Sequence, residues 1–159
     1  MIVNKTISNY LLIKSKGWFS LMLHVILSFG LLFLGGIIYL LFRSKSILMF
    51  VWVDKFGLTP VVDKIRSELS HVSLSHISIY SIPDGLWVAS YVILVHGIIP
   101  KEHKFNLIFW SYLLPFIAIT FEFLQYLSLI PGVFDIFDLV CYVIPLVIYT
   151  IYLRYEKVL

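Results

Sequence analysis

The chain has 159 residues, of which 60% are hydrophobic and 13% are charged, and its mean hydropathy is +0.97. A soluble domain carries about 25% charged residues, so a chain this apolar cannot cover a water-facing surface and must use lipid as part of its solvent. The formal net charge of +3 comes from scattered cations. Without a basic patch, nucleic acid is not expected as a partner.

The first long apolar stretch is Trp18–Phe42, which follows three lysines. It is about twice as long as the apolar core of a signal peptide, and no small-residue cleavage site follows it. We therefore interpret it as a retained signal-anchor and the first transmembrane helix. Residues 1–17 mix apolar and polar side chains and are predicted to form an interfacial helix.

Segment 43–80 is the one substantial polar region and is predicted to lie outside the membrane between the first two spans. Ile47–Val53 is apolar and aromatic. After Gly57 and Pro60, the apolar residues of Val61–Leu69 share one helical face. Two short helices are therefore expected, either lying on the membrane surface or packing over the bundle.

Three further apolar stretches predict three more spans, at about Ser81–Ile99, Phe105–Leu127 and Asp135–Arg154. Pro115 and Pro145 fall inside the last two, which lipid-embedded helices tolerate when neighbouring groups reclaim the freed carbonyl. Residues 1–159 are thus predicted to form a single all-α domain. It is a polytopic membrane protein with four transmembrane helices and short interfacial helices in the N-terminus and first loop.

The distribution of Lys and Arg predicts the orientation. Four spans place both termini and the loop near residues 100–104 on one side of the membrane. That side holds seven Lys or Arg residues, and the opposite side holds five. The positive-inside rule then predicts cytoplasmic termini for a multi-pass protein of the inner (plasma) membrane.

Under this topology, the opposite membrane face collects an unusual set of polar side chains near the helix ends. Two i, i+3 pairs each share a helical face, and the Pro131-Gly132 turn signal makes the third and fourth helices neighbours. The spacing permits one outward polar pocket that could bind a cation or a cationic group, with a metal left open. Its candidate ligand-binding residues are Asp84, Glu122, Gln125, Asp135 and Asp138.

Helix capping is the alternative explanation for three of these acids. Ser81 and Asp84 fit a capping box, Asp135 could cap the fourth helix, and Asp138 could lie at its positive dipole end. Glu122 escapes this explanation because it lies inside a helix near the C-terminal end, where the dipole disfavours an anion. An unpaired acid at the bilayer centre costs about 2.5 kcal/mol or more. Glu122 is therefore the strongest candidate site residue.

The remaining chemistry-bearing residues point to structural roles. His24 and His96 lie within spans, where an interhelical hydrogen bond is the commoner role for a polar side chain. Cys141 lies in an apolar helix and is interpreted as a small packing residue. The metalloprotease, C-x-x-C and serine-nucleophile motifs are absent from the sequence, so neither an enzyme nor a cofactor is predicted.

The segment Glu122-Phe-Leu-Gln125, followed by Asp135-Ile-Phe-Asp138, resembles the E-x-x-Q … D-x-x-D signature of the VanZ-like family. These are small bacterial membrane proteins, and the founding member is associated with teicoplanin resistance. The family's two C-terminal helices joined by a short acidic turn look like residues 105–154. Its usual Arg ahead of the paired acids is replaced here by Pro131-Gly132-Val133-Phe134.

The resemblance implies a small membrane protein of the bacterial cell envelope, acting as a non-catalytic scaffold or as a binding protein with an outward-facing acidic pocket. That pocket would bind a cation, a cationic group, or a lipid-linked cell-wall intermediate through a bridging Mg²⁺ or Ca²⁺. The alternative is an accessory integral-membrane subunit of a larger membrane protein complex. Membrane lipids and other membrane proteins are the expected partners in either case.

Overall fold

The computed structural model describes the backbone of residues 2–159 and the side chains of residues 18–159. This part of the chain is all-helical and contains no strands. Seven helices follow one another: α1 (Ile2–Phe42), α2 (Leu48–Lys55), α3 (Thr59–Glu68), α4 (His76–Tyr80), α5 (Ile82–Ile98), α6 (Lys104–Tyr126) and α7 (Ile136–Tyr155).

Four segments are long and apolar enough to cross a membrane: Trp18–Phe42, His76–Ile98, Lys104–Tyr126 and Ile136–Tyr155. The predicted multi-pass membrane architecture is confirmed. The second span begins earlier than predicted because the short helix α4 precedes α5 with only Ser81 between them. The interfacial helix predicted for residues 1–17 lies outside the residues whose side chains are described. The backbone of α1 begins at Ile2.

The spans present large apolar side chains around their outer surface. Phe33, Phe116 and Ile148, from three different spans, are each more than 60% exposed. In water this exposure would be strongly unfavourable, whereas lipid tails solvate these side chains as well as a protein core does. The membrane-facing surface is therefore in contact with lipid when the chain is embedded.

A seam of small residues brings α1 against α5. The Ser28 hydroxyl donates to the Ser90 carbonyl at 2.8 Å, and the Ser90 hydroxyl donates back to the Ser28 carbonyl at 2.8 Å. A Cβ atom at Gly35 would lie 2.6 Å from Nε1 of Trp87. Small residues allow this close approach, which takes the place of hydrophobic burial as the basis of association in lipid.

Helices α5, α6 and α7 surround a separate buried core near the C-terminus. Its buried residues include Val92, Leu107 and Leu153. Val158, the residue before the last, packs into the same core. We call this end of the bundle, where residues 99–103 connect α5 to α6, the terminal end. The opposite end, where residues 43–75 and 127–135 connect helices, is the loop end.

The two predicted helices of the first loop are present as α2 and α3 and pack over the loop end of α1. Arg66 of α3 donates to the Leu40 carbonyl of α1 at 2.6 Å and lies over the Phe50 ring of α2. Lys45 pairs with Asp63 at 2.6 Å. These contacts bring the polar loop next to the acidic residues of the other spans.

Candidate functional site

Asp84 lies in the first turn of α5, but it is not part of a capping box. The Ser81 side chain makes no capping hydrogen bond to the helix. The Asp84 carboxylate instead accepts a hydrogen bond from the Tyr39 hydroxyl at 2.7 Å and a longer one from the Tyr142 hydroxyl at 3.5 Å. The capping alternative is wrong for Asp84, because two phenols from α1 and α7 take its oxygens.

A close approach of α5 to α7 places Asp84 beside Tyr142. A Cβ atom at Gly85 would lie 2.8 Å from the carbonyl oxygen of Cys141. Only glycine allows the two backbones to come this near. Cys141 therefore has the packing position predicted for it, at the contact between these helices.

Glu122 is buried in α6, with 6% of its surface exposed. Its Oε2 accepts a hydrogen bond from the backbone N–H of Asp135 at 3.3 Å. The side chain therefore reaches across the turn to the start of α7. A carboxyl group buried inside a helix needs a polar partner. For Glu122 this partner is a backbone N–H group, at the long distance given above, and not a cation.

Asp135 is the N-cap of α7, as the capping alternative predicted. Its Oδ1 accepts from the Phe137 backbone N–H at 2.8 Å. Its other carboxylate oxygen lies 3.8 Å from Nδ1 of His76, which is largely exposed. Capping is thus confirmed for Asp135 and does not prevent its second oxygen from facing another group.

Asp138 lies in the first turn of α7 and is incompletely satisfied. Its Oδ1 is buried without a hydrogen-bond partner, and so is the Ser81 hydroxyl oxygen. The two side chains lie beside each other without a hydrogen bond of normal geometry. Because buried polar atoms are nearly always paired, these two atoms are candidates for contact with a water or ligand group.

Gln125 is separate from the acids. Its side-chain amide lies over Gly132 in the α6–α7 turn, where a Cβ atom would be 2.6 Å from the amide nitrogen. Gly132 has a φ of +140°, a backbone conformation that glycine adopts without strain. Gln125 therefore covers the turn, and no hydrogen bond in the described part of the chain joins its side chain to the acids.

Arg43, one of the five Lys and Arg residues of segment 43–80, belongs to this site. Its guanidinium lies between two rings, 4.0 Å from the centroid of Tyr39 and 4.6 Å from that of Tyr80. It also donates to the Tyr80 carbonyl at 3.4 Å. Its charge is near enough to interact with both Asp84 and Asp138.

The sequence contained a signal for this arrangement. Tyr39 and Arg43 are four residues apart at the end of α1, so they share a helical face on the same side of the membrane as the acids. Arg43 thus brings a guanidinium to the acids from the end of α1.

We call Asp84, Glu122, Asp135 and Asp138 the acidic cluster. The four carboxyl groups come from α5, α6 and α7 with its N-cap, and they are close enough to act on one another electrostatically. Across residues 18–159, however, no three His, Cys, Asp or Glu side chains are arranged to hold a metal ion.

The two intramembrane histidines lie at the terminal end. Nδ1 of His96 lies 3.1 Å from the Tyr149 hydroxyl on α7, which confirms the interhelical hydrogen bond predicted for it. His24 instead bonds the Ser20 carbonyl of its own helix at 2.7 Å, so that prediction was wrong for His24.

No protein-family model matches the chain, and comparisons with curated proteins and with solved structures found no similar protein.

Proposed function

We propose that this chain is a VanZ-like membrane protein of the bacterial cell envelope that acts as a non-catalytic binding protein or scaffold. The acidic cluster is its binding site, and it holds a cationic group of an envelope component. With cytoplasmic termini in the plasma membrane, the loop end and its acids face outward.

The convergence of carboxyl groups from three helices at one end of the bundle carries this proposal. Intramembrane acids are costly, and they commonly mark ligand or ion sites. Here four carboxyl groups lie near one another, and the Arg43 guanidinium acts on two of them, Asp84 and Asp138. The excess of acid leaves room for a second cationic group, and the unpaired Oδ1 of Asp138 is the atom best placed to receive it.

The partners of the acids also favour binding over catalysis. Asp84 is held by tyrosine hydroxyls, whereas Glu122 and Asp135 are held by backbone N–H groups. Such contacts fix the positions of carboxylates without preparing a nucleophile. A set of held carboxyl groups with one buried, unpaired oxygen is an arrangement for recognition.

A binding measurement tests the site directly. We would reconstitute the full chain in lipid nanodiscs and titrate it with n-decylammonium, using n-decanol as the uncharged probe of the same length. We expect saturable binding of the ammonium that weakens at least tenfold in Asp84→Asn and Asp138→Asn. Asp63→Asn is the matched control, because Asp63 pairs with Lys45 outside the cluster. Equal binding of n-decanol, or full binding by both cluster variants, would contradict the proposal.

A phenotype tests the family assignment separately. Expression in a teicoplanin-susceptible Gram-positive host is expected to raise the inhibitory concentration of the drug at least fourfold. Glu122→Ala is expected to abolish this effect, while Glu122→Gln shows whether a neutral hydrogen-bonding side chain suffices. Membrane levels of each variant are measured by immunoblot. Unchanged resistance with Glu122→Ala at normal abundance would rule out a role for this acid.

A second candidate function is that of an accessory subunit, and the outer face of α2 favours it. Leu48, Trp52 and Phe56 are 71%, 58% and 72% exposed, and α2 lies outside all four spans. An aromatic face at this position suits contact with another membrane protein.

Purification tests this second function. The tagged chain, extracted from its native membrane in a mild detergent, should carry stoichiometric partners that are lost in a Trp52→Ala/Phe56→Ala variant. Phe33→Ala, which changes a lipid-facing aromatic inside a span, should retain them. Recovery of a lone, functional chain would contradict the accessory role.

A further inference from the structure

A cavity of about 400 Å³ lies at the terminal end, between α1, α5 and α7. Helix α5 packs against both other helices and supplies one wall with Val92 and His96. Leu27 of α1 and Ile148 of α7 also line the cavity and are 50% and 63% exposed. Because these exposed residues belong to lipid-facing spans, the cavity opens sideways into the bilayer.

The cavity is apolar except for one group of aromatic polar side chains. His24 and His96 line it, with ring centroids 5.5 Å apart, together with Tyr149 and Tyr152. Ligand sites in proteins combine a mainly apolar lining with a few placed polar groups and enclose about 300–1,000 Å³. The size and lining of this cavity both agree with that description.

Each imidazole is held through one nitrogen, which leaves the other for a ligand. Nδ1 of His24 lies 2.7 Å from the Ser20 carbonyl and so must carry its proton, which makes Nε2 a hydrogen-bond acceptor. Nδ1 of His96 contacts the Tyr149 hydroxyl, which in turn lies 3.0 Å from the Ser111 hydroxyl. When Tyr149 donates to His96, Nε2 of His96 carries the proton and is a donor.

The lining also restricts the ligand. No Asp, Glu, Lys or Arg is among the described residues that line the cavity, so a charged head group would be desolvated there without a counter-ion. A plain acyl chain would leave both imidazoles without partners. A planar head can pack against the four rings, and its oxygens can accept from one imidazole and donate to the other.

We propose that this cavity binds a membrane-soluble quinol, with one ring hydroxyl donating to Nε2 of His24, the oxygen of the other accepting from Nε2 of His96, and its apolar tail lying against Leu27 and Ile148. The site is at the opposite end of the bundle from the acidic cluster, so it stands or falls separately from the proposed function.

Binding of 2-methyl-1,4-naphthoquinol carrying a short prenyl tail, kept reduced under anaerobic conditions, tests the site in nanodiscs, with n-decylbenzene as the probe that lacks oxygens. We expect saturable binding of the quinol, at least tenfold weaker in His24→Phe and His96→Phe. Ala89→Phe, which fills the cavity from α5, should abolish binding. His71→Phe, in the polar loop, is the matched control and should bind normally.

Two further measurements keep the test decisive. Thermal unfolding of each variant identifies any loss of fold, and His24→Gln, which retains a hydrogen-bonding side chain, should keep most of the affinity. Full binding by folded His24→Phe and His96→Phe would overturn the proposal. Equal binding of n-decylbenzene would also overturn it, because the cavity would then be a groove for apolar chains. Absence of saturable quinol binding by the unmodified chain would have the same consequence.

Discussion

Tyr39 donates a 2.7 Å hydrogen bond to Oδ1 of Asp84, and this bond joins the first span to the second at the loop end. The same tyrosine ring supports the Arg43 guanidinium at 4.0 Å. Tyr39 is therefore shared by the acid and by the cation next to it. The hydroxyl binds Asp84 and the ring contacts Arg43, so a substitution that removes only the hydroxyl tests the first contact alone.

Replacing Tyr39 with Phe removes the hydroxyl and keeps the ring under Arg43. Asp84 then retains only the 3.5 Å contact from Tyr142. Because a buried hydrogen bond to a charged group contributes about 1.5–3 kcal/mol, we expect a loss of stability in that range. Heat unfolding in detergent measures it, with Tyr155→Phe, which changes an exposed tyrosine, as the control. Equal stability of both variants would show that the bond contributes nothing.

Gly97 is expected to be essential for the packing of α1 on α5. A Cβ atom there would lie 2.5 Å from Cβ of His24, and neither atom can move without moving its helix. We expect Gly97→Ala to destabilise the protein by about 1–3 kcal/mol. Gly30→Ala is the matched control on α1, since nothing lies within 4 Å of its Cβ position. Equal melting temperatures of Gly97→Ala and Gly30→Ala would show that α1 and α5 can move apart with little loss of free energy.

The role of Asp135 as a helix cap can be distinguished from a role in ligand binding. Asp135→Ala removes the 2.8 Å bond to the Phe137 N–H and should cost about 1 kcal/mol. Asp135→Ser keeps a capping oxygen and removes the charge, so stability should return nearly to normal. If the Ser variant binds n-decylammonium normally, Asp135 acts as a cap alone. If Asp135→Ser also lowers the free energy of unfolding by about 1 kcal/mol, the capping assignment is contradicted.

The ion pair of Lys101 and Glu156 gives the terminal end a pH dependence. The hydrogen bond from Lys101 lowers the pKa of Glu156 below its ordinary 4.5, and the same bond raises the pKa of Lys101 above 10.5. The stability from Glu156 is therefore present above pH 4.5 and lost as pH falls through its lowered pKa. That from Lys101 is present below pH 10.5 and lost as pH rises through its raised pKa.

Melting curves of Glu156→Gln and of the unmodified chain check this dependence. At pH 7 and low salt we expect Tm to fall by about 1–2 °C in the variant, because the pair lies at the surface. The difference should shrink in high salt and disappear at acid pH. Glu68→Gln changes an exposed acid on α3 and serves as the control. If the Tm difference is unchanged at pH 3, the effect of the Gln substitution does not come from loss of the ion pair.

The predicted span boundaries agreed with the structure to within a few residues wherever hydropathy alone decides them. Phe105–Leu127 was predicted and Lys104–Tyr126 observed, and Asp135–Arg154 was predicted where α7 runs from Ile136 to Tyr155. The energy of placing about 20 apolar residues in lipid depends on composition and length, which the sequence states directly. The two loop helices were also predictable, from turn residues and a one-sided apolar pattern.

The partners of the polar side chains could not be predicted in the same way. The spans are apolar on all sides, so no stripe of residues indicates which face packs and which meets lipid. Arg43 and Tyr142 could be assigned to Asp84 only after α1 and α7 had been rotated into place about α5. Whether His24 bonds its own helix or α5 also depends on the rotation of α1, which the sequence does not indicate.

The sequence by itself determined that the chain is a four-span membrane protein and that its acids lie at one membrane face, because hydropathy and the number of crossings set both. The tertiary structure alone decided which acids are capped, which contact phenols and where Arg43 lies. Those outcomes depend on helix rotation, and small residues such as Ser28, Gly35 and Gly97 set that rotation by letting two backbones approach closely.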